Sequence, residues 1–194
     1  MDIDGPSGAL EARYDDAPGP AGAQAVLCHP HPRYGGSLHD AVLDCLTDAL
    51  LEAGISVLRF NFRGVGGSAG RYDDGRGEAD DLLAAACWLR SAHPGDALWL
   101  GGYSFGAWVA WQALDLGLQP DRVLLVAPPV GRLTFRPHEP EVPVDVVIGD
   151  ADASADPAAL AAWSGVITHT VAGADHFFTG CMHALARQFR GIIG

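Results

Sequence analysis

Short apolar runs alternate with longer stretches of helical period along nearly the whole chain. Ala25-Val26-Leu27-Cys28 is the first clear run, and residues 40–52 follow with Val42, Leu43, Leu46, Ala49 and Leu50 on one helical stripe. Residues 55–60 read as the next strand. Residues 78–90 read as a helix whose acids sit at its start, where the helix dipole favours them. Residues 97–100, 122–126, 144–148 and 166–171 are further strands. Helices are expected over 107–114, over 157–163 with Pro157 in the first turn, and over 179–189. Strand runs thus alternate with helical stretches along the chain. That predicts an α/β fold: a mostly parallel sheet with helices on both faces. Residues 10–14 suggest an added edge strand. Polar, glycine-rich residues 18–22 and 71–77 read as surface loops. No repeat or linker interrupts the pattern, so residues 1–194 are read as one domain.

The stretch from Ala97 to Leu114 carries no charge and is long enough to raise a membrane span as an alternative. Gly101, Gly102 and Ser104 interrupt it, and Asp96 and Asp115 flank it where a span would carry Lys or Arg. A buried strand followed by a buried helix accounts for it better.

At that strand-to-helix junction stands Gly102-Tyr103-Ser104-Phe105-Gly106, a G-x-S-x-G pattern. With 25 glycines in the chain, the letters alone are weak, so the context carries the reading. A serine on a sharp strand-to-helix turn has the form of the nucleophile elbow of α/β-hydrolases. There the strained turn lifts the hydroxyl above the sheet, and the close approach of strand and helix demands glycine. Ligands of such sheets sit outside the carboxyl ends of the strands, where Ser104 falls.

A serine needs a base, and the base needs an orienting carboxylate. In this fold the chain order is Ser, then Asp or Glu, then His. Behind Ser104, Gly149-Asp150-Ala151-Asp152 follows one strand and Asp175-His176-Phe177-Phe178 follows the last. His176 is the candidate base. The acid is Asp150 or Asp152, and loop geometry favours Asp152. Asp175 reads as a turn residue.

His29-Pro30-His31-Pro32 invites two readings. With His39 and Asp40 downstream it could hint at a metal site, but no second ligand cluster accompanies it. Its position after the first parallel strand instead suits the second oxyanion-hole donor. Pro30 and Pro32 have no N–H, which leaves the His31 N–H between them. The Phe105 N–H would be the other donor. His93, His138, His169 and His183 read as surface or packing residues.

The net charge of −12 disfavours nucleic acid and anionic membrane surfaces as partners. All twelve basic side chains are arginine, which removes Schiff-base, Ser-Lys and P-loop lysine chemistry. Cys28, Cys45, Cys87 and Cys181 form no C-x-x-C pair and are expected to be buried free thiols in a reducing compartment. The first residues lack a basic region and an apolar core, so no secretory signal is read and a cytoplasmic location is expected. Nothing in the sequence speaks to oligomeric state.

The H-P-H-P-R-Y-G-G segment at His29 to Gly36, the F-N-F-R-G-V-G-G-S segment at Phe60 to Ser68, the elbow and the G-A-D-H-F-F segment at Gly173 to Phe178 together resemble the small, lid-less bacterial α/β-hydrolases near the dienelactone-hydrolase and CocE-type branches. The resemblance implies Ser104 as nucleophile, Asp152 as acid and His176 as base. It implies a serine hydrolase but names no substrate; the triad chemistry is read as cleavage of a small-molecule ester, with thioester and amide as alternatives, without metal or organic cofactor. Dienelactone hydrolases themselves carry cysteine where this chain has Ser104. Only residues 128–143 are available where larger members insert a cap, so no cap domain and an open site are expected. Arg33, Tyr34, Phe62, Val130 and Phe177 are candidate pocket residues. Acyl transfer or peptide cleavage on the same triad is an alternative. So is a binding protein that kept the fold without catalysis.

Overall fold

Leu27, Val57, Leu58, Leu100, Leu125 and Val146 lose nearly all solvent contact in the computed structural model, because helices cover both faces of the strands that carry them. The structure describes residues 1–19, 22–136 and 139–194. His138 and part of the 18–22 loop therefore lie outside the described residues. The strands are β1 (Asp2–Gly5), β2 (Gly8–Asp15), β3 (Ala23–Cys28), β4 (Ser56–Phe60), β5 (Ala97–Tyr103), β6 (Arg122–Val126), β7 (Val144–Gly149) and β8 (Val166–Val171). The helices are α1 (Ala41–Glu52), α2 (Arg76–Ala92), α3 (Phe105–Asp115), α4 (Pro157–Ala161) and α5 (Met182–Ile193).

The eight strands form one sheet in the order β1-β2-β4-β3-β5-β6-β7-β8. β1 and β2 pair antiparallel, as do β2 and β4; the rest are parallel. Two apolar cores flank the sheet. Side chains of α2, α3 and α4 fill one, and those of α1 and α5 fill the other. This is the expected α/β arrangement, with both faces of the central strands shielded from water. No described helix is long and apolar enough to cross a membrane, and the uncharged 97–114 stretch divides into β5 and α3.

Three expectations need correction. The strand over residues 10–14 is not an edge: β1 pairs on its outer side, and β2 lies between β1 and β4. Cys87 is exposed on α2, although Cys28 is buried and all four thiols are free. His169 has a definite partner, since its Nε2 lies 2.8 Å from Asp145, which also takes two hydrogen bonds from Arg122.

Residues 128–143 contain no helix or strand among those described. Residues 131–136 are nonetheless tied to the body of the protein. The Trp108 and Trp111 indole N–H groups on α3 donate to the carbonyls of Thr134 and Arg136 at 2.9 and 2.8 Å. The Gly131 N–H donates to the Ser154 carbonyl at 3.1 Å.

Candidate active site

Ser104 sits between the last residue of β5 and the first of α3, with φ 54° and ψ −114°. A positive φ is strained for a side-chain-bearing residue, and here the turn imposes it. The glycines on either side have a steric reason. A Cβ at Gly102 would stand 2.3 Å from the Gly106 carbonyl oxygen, and one at Gly106 would stand 2.2 Å from that of Cys28. Backbone thus passes backbone too closely for any side chain.

The loops after β7 and β8 bring the other two groups to this turn. Ser104 Oγ lies 2.9 Å from His176 Nε2, and His176 Nδ1 lies 2.8 Å from Asp152 Oδ2. With Nδ1–H donating to the carboxylate, Nε2 is free to accept the serine proton. Burial alone would raise the Asp152 pKa. The hydrogen bonds from His176 and from the Ser154 N–H outweigh burial and hold the carboxyl below its ordinary value. Asp150 turns elsewhere: it is exposed and accepts from the Gly173 N–H at 2.6 Å. Asp175 accepts from the Phe177 and Thr179 N–H groups, as a turn residue does.

His31 and Phe105 line the same cleft as Ser104, which measures about 730 Å³, and their rings stand 4.7 Å apart. The Phe105 N–H opens α3, where the dipole is positive, and neither it nor the His31 N–H donates within the protein among the described residues. The His31 ring is held from two sides. Nδ1 accepts from the Arg33 N–H at 3.1 Å, so Nε2 carries the proton toward the Tyr72 hydroxyl at 3.2 Å. Burial first, then the Arg33 charge, lowers its pKa and keeps it neutral.

His29 is fully buried. Its Nε2 accepts from the Phe62 N–H at 3.0 Å, so Nδ1 donates to the Pro30 carbonyl at 2.6 Å. Burial pushes its pKa down to about 4. With both ring nitrogens engaged by backbone, His29 has no lone pair to offer a metal. No group of three His, Cys, Asp or Glu stands together as a metal cage among the described residues.

The candidate pocket residues divide. Tyr34 and Phe177 line the cleft mouth and are 88% and 70% exposed. Phe62 does not line the cleft. It is wholly buried against His29, Phe60 and Phe105. Arg33 instead lies over the Tyr72 ring, 5.3 Å from its centroid, and Val130 packs toward the core. Three groups not anticipated from the sequence border the site. Pro129 and Arg132 line the cleft from the strapped segment, and the Tyr103 hydroxyl donates to the His176 carbonyl at 2.9 Å. The variable position beside the elbow serine was the signal that could have pointed to Tyr103.

Residues 27–127 match the family defined by the alpha/beta hydrolase fold. The chain belongs to that family. Among solved structures, this α/β-hydrolase is 38% identical to XC6422 from Xanthomonas campestris, described as an a/b serine hydrolase without lid. That match has a TM-score of 0.91 and covers 98% of this chain and 91% of the other. It is 34% identical to an alpha-beta serine hydrolase homologue from Coxiella burnetii, with a TM-score of 0.93 over 100% and 96% of the two chains. It is also 39% identical over 132 residues to the uncharacterized protein RP471 of Rickettsia prowazekii, a match covering 68% of this α/β-hydrolase. The match spans 56% of the length of that relative.

Proposed function

We propose that the protein is a serine hydrolase that cleaves carboxylic esters of small molecules through an acyl-enzyme. The observation that supports this best is the unbroken hydrogen-bonded line from Ser104 Oγ through His176 to Asp152. In this reading Ser104 Oγ attacks the ester carbonyl while His176 Nε2 takes its proton. Asp152 stabilises the imidazolium and keeps Nδ1 protonated. The carbonyl oxygen becomes an oxyanion that the His31 and Phe105 N–H groups receive. His176 then returns the proton to the departing alcohol, leaving an acyl group on Ser104. Water attacks that acyl group with His176 again as base, and the acid leaves with Ser104 restored. Side chains, backbone and water carry every step.

No helix or strand among the described residues of 128–143 covers the cleft to keep water from the acyl-enzyme, which favours hydrolysis over transfer to a second alcohol. A fluorophosphonate probe followed by peptide mass spectrometry tests the reading directly. The adduct is expected on Ser104, and Ser104→Ala is expected to lower kcat on a short-chain ester by on the order of 10⁶. No adduct at a dose that labels a control serine esterase would overturn it.

A further inference from the structure

The carboxylates around the cleft are all occupied. Asp152 accepts from His176 and the Ser154 N–H, Asp175 accepts from two backbone N–H groups, and Asp40 caps α1 by accepting from the Val42 N–H at 2.8 Å. Arg132 is the exception among charged groups lining the same cleft. Its guanidinium has no hydrogen-bond or ion-pair partner among the described residues. Elsewhere in this strongly acidic chain, Arg59, Arg63, Arg122 and Arg190 are each paired with a carboxylate, and Arg71, Arg136 and Arg187, which have no carboxylate partner among the described residues, do not line this cleft. The backbone that carries Arg132 is held in place: its own N–H donates to the Pro129 carbonyl at 2.9 Å, and the neighbouring tethers run to α3 and to the Asp152 loop.

A guanidinium presents planar paired donors that match the oxygens of a carboxylate or a phosphoryl group. We propose that Arg132 receives an anionic arm of the substrate, so that the preferred esters carry a second, ionised group. This rests on the ester reading above and narrows it. The anion could be a carboxylate or a phosphoryl group, since both fit the same donors.

The test compares pairs of esters that differ only in charge. Monoethyl glutarate is set against the ester in which an isopropyl group replaces its carboxylate. The acetate ester of γ-hydroxybutyrate is set against its isopropyl counterpart, which places the anion on the alcohol side. Ethyl γ-phosphonobutyrate supplies the phosphoryl arm. The readout is the ratio of kcat/KM for the charged ester to that for the uncharged one. The ratio is expected to exceed one for at least one pair. It should fall about 10- to 100-fold in Arg132→Gln, as loss of a charge-assisted hydrogen bond does. Arg132→Lys should recover part of it, and added salt should shrink it in the wild type. Whichever charged arm shows the larger ratio identifies the anion. Equal ratios in wild type and Arg132→Gln for every pair would overturn the proposal while leaving ester hydrolysis standing. Turnover of no ester at all, with Ser104 still taking the fluorophosphonate, would overturn the ester reading itself.

Discussion

Tyr103 stands at the variable position of the elbow, yet its hydroxyl reaches across to the backbone carbonyl of His176. Only 3% of the residue is exposed, and burial raises the pKa of the phenol, so it remains a neutral donor. Strand β5 fixes the phenol, and the phenol ties down the loop that carries the candidate base His176. Tyr103→Phe keeps the ring and loses the bond. It should lower kcat about 2- to 10-fold with KM unchanged, the scale of one neutral hydrogen bond. A drop in melting temperature with kcat intact would make the hydroxyl purely structural. At the next loop the two aspartates separate by what they touch. Asp152→Asn should lower kcat by roughly 10⁴, as loss of an orienting carboxylate does. Asp150→Asn gives up only a bond to Gly173 and should cost far less. Measuring both with folded protein checks the ranking, and the reverse order would transfer the role to Asp150.

The central parallel strands could be read from the chain because both of their faces are buried, which leaves largely apolar runs in the sequence, interrupted by paired polar residues such as Arg59 and Asp145. β1 could not, because Ile3 is its single buried residue. Phe62 was misplaced for a related reason. It follows β4 at the carboxyl end, where ligands bind, but its ring joins Phe60 in the core instead of facing the cleft. The pairing of His169 with Asp145 depends on strand register, which no local pattern encodes. Beyond β4, the loop is fixed to α2 by a buried ion pair. Arg63 donates from Nε and Nη2 to Asp81 at 3.0 and 2.7 Å, and its backbone N–H adds a third bond at 2.9 Å. Removing one partner strands a buried charge, so Asp81→Ala should destabilise by about 3–5 kcal/mol. Urea unfolding measures this, and a loss under about 1 kcal/mol would mean that the loop is held by other contacts.

Across the whole molecule, three strand ends that are distant in sequence meet at one point, and their order along the chain was enough to propose the meeting. The cleft walls were less legible, since they depend on which way loop side chains turn. His29 links that architecture to pH. Its folded pKa of about 4 lies below the ordinary value of 6.5, so the unfolded chain binds the proton first. The associated stability is complete above about pH 6.5 and is lost as pH falls toward 4. The total is about 3 kcal/mol at 1.36 kcal/mol per pKa unit. Thermal melts across that window should show a steeper decline for wild type than for His29→Gln, and parallel curves would remove His29 from the account. The segment over residues 128–136 has a different kind of consequence. Where a mobile lid must be ordered anew on each encounter, two indoles and the Gly131 N–H have already fixed this rim. Its conformational entropy is lost once, at folding, and not at binding. On the serine-hydrolase reading, a substrate therefore meets a preorganised surface along this rim, and none of these residues has to open for product to depart.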